Sequence, residues 1–287
     1  MGADRGAALL GWWAGRARDL PWRRTRDPWE VLVCEVMAQQ TTVARVAARW
    51  QPFLDRFPDP AACAAAPVAD VLAAWSGLGY NRRALLLHRC ATAVVERHGG
   101  RLPDELDALL ALPGIGAYTA RAVLAFAFER DHGVVDTNAA RVLARWAGGR
   151  LTPARAQAAA DAAVVPGRAW AWNQAVLDLG ASVCRRRAPS CTECPVAAAC
   201  GWHRAGCPPP DPADGSAGVG RAQPRFEGSD RQGRGRLVAA AVRGPVGTGD
   251  LARVMGWPDE PERAERAAAA LVAEGLLARD GDALRLP

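Results

Sequence analysis

The sequence predicts a largely all-α protein followed by a small α+β unit of winged-helix type, and three observations carry that expectation. From residue 6 to residue 201, Ala, Leu, Val and Trp recur at spacings of three and four, broken by Pro and Gly, with no alternating run long enough for a sheet. Residues 207–236 then change to Pro, Gly, Ser, Asp and Arg with almost no apolar side chains, which is linker composition. Beyond it, residues 237–242, 249–255 and 262–277 read as helices, and residues 278–286 as two short strands around an Asp-Gly turn.

The totals bound the function. The chain has 287 residues, 36 basic and 30 acidic side chains, a net charge of +6 and 50% hydrophobic residues, enough for about two domains. No stretch approaches the roughly 18 to 20 apolar residues of a membrane span. The short N-terminal apolar run is closed by Trp12 and Trp13 and followed by Arg16 and Arg18, which is not a signal-peptide pattern, so a cytoplasmic protein is expected. All 36 basic residues are Arg, which excludes any mechanism through a lysine Schiff base. The modest positive charge fits an anionic partner and a solvated surface about equally.

Taken in order, the first element of interest is a helix that Asp27 caps and Pro28 opens. Glu35 is its only charged residue between positions 31 and 38. Shielding there would raise its pKa and make it a proton donor near neutral pH, the alternative being a structural Glu paired with an Arg. Next come two similar segments, Gly77-Leu78-Gly79-Tyr80 and Gly114-Ile115-Gly116-Ala117-Tyr118, each a Gly-apolar-Gly turn before a helix. The second lies between expected helices at 105–111 and 117–128, a helix-hairpin-helix arrangement in which Gly114, Ile115 and Gly116 can offer N–H groups to a phosphate or simply turn the chain. Asp136 then stands at the N-cap of a helix over 139–146. A carboxylate held ionised there could oppose a developing cation, and one protonated and one ionised carboxyl is the division used in glycoside cleavage. Last, Cys184, Cys191, Cys194 and Cys200 place four thiols within 17 residues, open to a structural zinc or to an iron–sulfur cluster, with the single C-x-x-C favouring [4Fe–4S].

These segments, with Leu20-Pro21-Trp22-Arg23, Cys34 to Thr41, Val135-Asp136-Thr137-Asn138 and Asn173 to Ala181, resemble in content and order the MutY-type adenine DNA glycosylases of the helix-hairpin-helix, iron–sulfur superfamily, from about residue 8 to 204. The resemblance implies a two-lobed fold with a DNA cleft between the lobes. Residues 1–24 with 131–204 would form the cluster lobe, 25–130 the helix-hairpin-helix lobe, 205–236 a linker, and 237–287 the winged-helix-like C-terminal unit. Glu35 matches the acid that protonates a flipped adenine at N7, and Asp136 the carboxylate that stabilises the sugar oxocarbenium. Tyr118 and Asn138 match polar groups supporting them. Arg18, Leu20, Trp22, Arg23 and Gln174 would line the adenine pocket, while Gln40, Thr41, Leu78 and Tyr80 would enter the stack and contact the opposing base. A [4Fe–4S] cluster on the four cysteines would organise a basic loop, Arg185-Arg186-Arg187, toward phosphates, three solvated arginines being the other reading. The implied partner is double-stranded DNA with mismatched or oxidised base pairs, met by a monomer associated with the nucleoid. Lysine-bearing relatives cut the strand, so a chain without lysine is expected to release a base and leave the backbone whole. A thymine mismatch glycosylase and a non-catalytic damage-binding protein are the alternatives. The short C-terminal unit stands where longer relatives carry a Nudix-like domain that helps recognise 8-oxoguanine, which leaves the strength of that preference and the unit's partner open.

Overall fold

The computed structural model describes residues 2–216 and 225–287, side chains from residue 5 onward; positions 217–224 of the expected linker lie outside the described residues. The helices, in chain order, are α1 Gly2–Ala14, α2 Pro28–Ala38, α3 Val43–Arg56, α4 Pro60–Ala65, α5 Val68–Ala74, α6 Arg82–His98, α7 Leu106–Leu110, α8 Ala117–Phe126, α9 Thr137–Ala147, α10 Pro153–Ala163, α11 Ala169–Ser182 and α12 Gly201–Arg204. The C-terminal segment adds α13 Asp230–Ala241, β1 Val246–Gly247, α14 Leu251–Met255, α15 Pro261–Ala273, β2 Ala278–Asp280 and β3 Ala283–Arg285. Among the described residues no helix is long and apolar enough to cross a membrane.

The chain divides into two compact units. The first comprises residues 1–28, 104–106 and 116–222. Its core is built where α1 and α9 meet α11, from Leu9, Trp13, Val142, Trp146, Trp172 and Leu179. Trp146 and Trp172 stand 6.1 Å apart, and Trp13 meets Trp170 edge-on at 5.5 Å, so the abundant Trp of this sequence supplies core area as well as donors.

The second unit comprises residues 29–103, 107–115 and 223–287. Here α4 and α5 pack on α6 around Trp29, Phe53, Trp75, Leu87 and Val94, all nearly or fully buried. Buried indoles need acceptors, and they find backbone carbonyls: Trp29 donates to Phe57, Trp50 to Glu30 and Trp75 to Gly79. In the C-terminal segment α13, α14 and α15 pack together over Leu237, Met255 and Leu271. A three-stranded antiparallel sheet of order β1-β3-β2 completes it, with Val246 opposite Leu284 and Arg279 opposite Leu284 on the other side.

Two features of this segment differ from the sequence expectation. The first is that α13 starts at Asp230, inside the stretch whose composition reads as linker. Ser229 caps it by accepting from Gln232 N–H, and Gly233 lets the Trp257 ring lie where a Cβ would stand. The second is the extra strand β1, whose two residues are too short to show alternation.

Candidate active site and cysteine cavity

Asp136 belongs to the first unit and is fixed by its own chain. It is the N-cap of α9: Oδ1 accepts from Ala139 N–H at 2.7 Å, and Oδ2 accepts from Asn138 Nδ2 at 3.1 Å. The approach to the cap is held by Asn173, which is buried and accepts from Val134 N–H while donating to the carbonyls of His132 and Ala169. Arg141, one turn into α9, donates to Asn138 Oδ1 at 2.8 Å, to the Gly180 carbonyl and to the Cys184 carbonyl at 2.7 Å. Burial pushes the Asp136 carboxyl above the usual carboxylate range. The amides of Ala139 and Asn138, the Asn138 side chain and the Arg141 charge pull the other way without cancelling it. The cap and its neighbours therefore offset part of the cost of holding this carboxyl in a largely desolvated position.

The closeness of α11 to this site depends on Gly180, where a Cβ would lie 2.7 Å from Asn138 Cβ and 3.0 Å from its carbonyl oxygen. Gly180→Ala is therefore expected to displace the Asn138 turn, costing about 1–3 kcal/mol of stability and slowing base release. Thermal melting and single-turnover rates on the same preparation check both effects.

Two of the residues expected to line a base pocket, Arg18 and Arg23, converge on Asp178 of α11. Its carboxylate accepts from Arg18 Nε at 2.5 Å, from Arg23 Nη1 and Nη2 at 2.8 Å each, and from the Trp13 indole at 2.9 Å. Burial alone would raise the Asp178 pKa, but the hydrogen bonds and charge of Arg23, the Trp13 donor and the Arg18 charge hold it below the usual range. The Arg23 and Asp178 side chains are only 7% and 3% exposed. Arg23 Nε is buried with no acceptor among the described residues. Leu20 and Trp22 are half-buried and Gln174 is buried, while Tyr118 is half-buried on α8.

In the second unit Glu35 is half-buried on α2, whose neighbours Val33, Cys34, Val36 and Met37 are buried. The Cys34 thiol is pushed up by burial and then by the Glu35 charge. Arg83 ties the end of α2 to the Gly77–Tyr80 turn. Its Nη1 donates to the carbonyls of Val36, Met37 and Gln39, and its Nη2 to Thr41 Oγ1 and the Gly79 carbonyl. Gln40 and Tyr80, flanking this hub, both take positive φ, 55° and 49°, a conformation that side-chain-bearing residues seldom adopt. Tyr80 is 39% exposed, but Leu78 is buried at 3% and does not project from the surface. In the hairpin Gly114 has φ +77° against Leu86, and the Ile115 N–H closes the turn onto the Leu112 carbonyl. That amide is committed to the turn.

The four cysteines of the motif line one small cavity together with Arg145, Leu179, Val183 and Trp202. Burial raises the Cys194 thiol to about 11 and raises Cys191 and Cys200 as well. Arg145 is almost fully buried and organises the loop. It donates to Cys184 Sγ at 3.3 Å and to the Arg185 and Arg186 carbonyls, and is neutralised by Asp211. Arg185, Arg186 and Arg187 are exposed, and Arg185 also braces the loop through Ala188 and Ser190.

Comparison with known proteins places this geometry. Residues 33–166 match the HhH-GPD superfamily of base excision DNA repair proteins. The chain is 43% identical over 283 residues to an adenine DNA glycosylase of Mycobacterium tuberculosis (strain ATCC 25618 / H37Rv), spanning 96% of this chain and 90% of the relative. The chain belongs to the adenine DNA glycosylase family. Human adenine DNA glycosylase is 39% identical over 213 residues, which cover 69% of this chain and 39% of the human one. The solved structure of a thermostable thymine-DNA glycosylase superposes with a TM-score of 0.66 at 29% identity, covering 71% of this chain and 98% of that one.

For an adenine DNA glycosylase family member, the sequence reading assigned no role to five side chains that hold its candidate residues in place, Asp178, Asn173, Arg141, Arg83 and Arg145, although Asn173 and Asp178 lie in a segment that carries the resemblance. One signal was available for Asp178, a lone acid on the otherwise apolar run from Ala175 to Ala181. The three arginines carry no such signal in a chain where every basic residue is Arg.

Proposed function

We propose that the protein is a monofunctional adenine DNA glycosylase of base excision repair, acting in the cytoplasm on duplexes with adenine opposite guanine or 8-oxoguanine. The observation that carries the reading is the near full-length likeness to adenine DNA glycosylases, with Asp136 and its Asn138 and Arg141 support all present. Reaching the glycosidic bond requires the base to leave the stack. Glu35 then donates a proton to the adenine at N7, making the base a better leaving group. Asp136, as a carboxylate, opposes the positive charge that grows on the sugar. Tyr118 and Asn138 support these groups. Arg23, whose buried Nε has no acceptor among the described residues, fits a place beside the base, with Arg18, Leu20, Trp22 and Gln174 around it. Release ends at water attack and an abasic site, because no lysine is present to form a Schiff base.

Cys184, Cys191, Cys194 and Cys200 fit a [4Fe–4S] cluster. These four thiols line one cavity and could supply one ligand to each iron. When bound, the cluster supplies structural organisation of the loop rather than base-excision chemistry. The exposed Arg185, Arg186 and Arg187 then meet phosphates. Replacing all three with Ala is expected to flatten the dependence of log Kd on log salt by up to about 0.9 per arginine that makes such a contact. A slope equal to wild type, read by fluorescence anisotropy, counts against that role.

The test of the function is single-turnover cleavage of duplexes with adenine opposite 8-oxoguanine, guanine and thymine, alongside a thymine–guanine duplex. Selective adenine loss that becomes a strand break only after alkali is the expected result. Thymine loss would move the protein to the thymine mismatch glycosylases, and breaks without alkali would remove the monofunctional assignment.

A further inference from the structure

The C-terminal segment is used by nothing described so far, yet it meets the turn that carries Tyr80. Arg231, in the first turn of α13, donates from Nη1 to the Tyr80 hydroxyl at 2.7 Å. Its guanidinium also lies 6.0 Å from the Tyr80 ring centre and 5.8 Å from that of Phe226, which is 56% exposed. The Arg83 guanidinium lies 5.5 Å from the Tyr80 ring centre. Tyr80 therefore lies near two cations, one from its own turn and one from the C-terminal segment, in a backbone conformation that has to be held by its surroundings.

These residues border a cleft of about 990 Å³ inside the second unit. One wall is Gln39, Gln40, Arg45 and the Gly77–Arg83 turn; the other is Phe226 with Arg231, Arg234 and the inner faces of α13 and α15. Five arginines line it against one acid, Glu274, which is already paired with Arg234. A positive, aromatic-edged cleft of this kind suits a polyanion that carries flat rings, which is the chemistry of a nucleic-acid strand.

The geometry points to Arg231 as a positioning residue for Tyr80, through which it acts on the discrimination of the opposing base. The inference rests on the adenine-glycosylase reading for the role of Tyr80. Arg231 sets the angle at which the Tyr80 ring meets the opposing base, so it acts on discrimination more than on the chemical step.

The test is a double-mutant cycle on the full chain with Arg231→Ala, Tyr80→Phe and the pair, measuring Kd by anisotropy and single-turnover rate for adenine opposite 8-oxoguanine, guanine and thymine. Each single variant is expected to lose about tenfold in the Kd preference for 8-oxoguanine or guanine over thymine, as for one charge-assisted hydrogen bond. The pair is expected to lose no more than either alone. The loss falls more heavily on Kd than on the saturating rate, and Arg231→Lys recovers part of it. Losses that multiply in the pair, or an unchanged preference in Arg231→Ala with a wild-type melting curve, overturn the proposal. If the wild-type protein releases no adenine, the function reading fails. The Kd cycle still reports whether Arg231 and Tyr80 act as one on duplex DNA.

Discussion

Asp136→Asn is expected to abolish adenine release while leaving the protein at least as stable as wild type. Asn caps a helix as well as Asp does, so the Ala139 and Asn138 contacts have a substitute partner. The charge that burial penalises is gone. Because the native pKa of Asp136 is raised, the stabilising contribution of its protonated form is fully present below the unfolded-state value and is lost as pH rises through the folded value. At neutral pH the ionised group thus costs stability, and the Asn variant is relieved of that cost. Activity has the opposite need, since only the carboxylate opposes a cation, so the wild-type rate should fall on acidification at a pH above the ordinary aspartate range. A drop of about a thousandfold or more in single-turnover rate is expected for the variant. DNA affinity should stay close to that of wild type, and the melting temperature should be equal or higher. A variant that melts well below wild type, or that retains a tenth of the rate, would remove Asp136 from the role assigned to it.

The second large effect is expected at Asp178, and it is on stability. Asp178→Ala leaves Arg23 buried without its counter-charge and takes an acceptor from the Trp13 indole. Breaking a buried pair from one side costs about 3–5 kcal/mol. With the folded pKa of Asp178 depressed, its contribution is present above the unfolded-state value and is lost as pH falls through the folded one. Wild type and variant should therefore converge in stability only in strong acid. An Asp178→Leu, Arg23→Met double variant should recover much of the loss, since apolar groups of similar volume replace buried ion pairs well. Denaturant melts of the three proteins at two pH values decide the matter. A small loss in Asp178→Ala, within about 1 kcal/mol, would mean the Arg23 guanidinium finds water when its partner is gone.

What was legible in the sequence was local. Pro28 opening α2, the Asp136 cap on α9 and the Asp-Gly turn between β2 and β3 are decided by neighbours within four residues, and each appears where the pattern placed it. What was hidden depends on partners far along the chain. Arg141 reaches Cys184, and Arg83 reaches Val36; in an Arg-rich sequence a buried guanidinium looks the same as a solvated one. The start of α13 was hidden differently. Its Gly and Arg residues have linker composition, and only the Trp257 ring over Gly233 shows why a glycine belongs in that helix. Leu78 has the same lesson in reverse, an apolar residue in an exposed-looking turn that the fold buries.

The pairing of α1 with α11 sets the order in which the protein can be made. Trp13 finds its acceptor on Asp178, 165 residues later, and Leu9 is buried only once α11 has joined α1 and α9. At about 5–20 residues per second, that partner leaves the ribosome roughly 8–33 s after the N-terminal helix does. During that interval the apolar face of α1 has no partner on the growing chain, whereas α4, α5 and α6 follow one another within about forty residues.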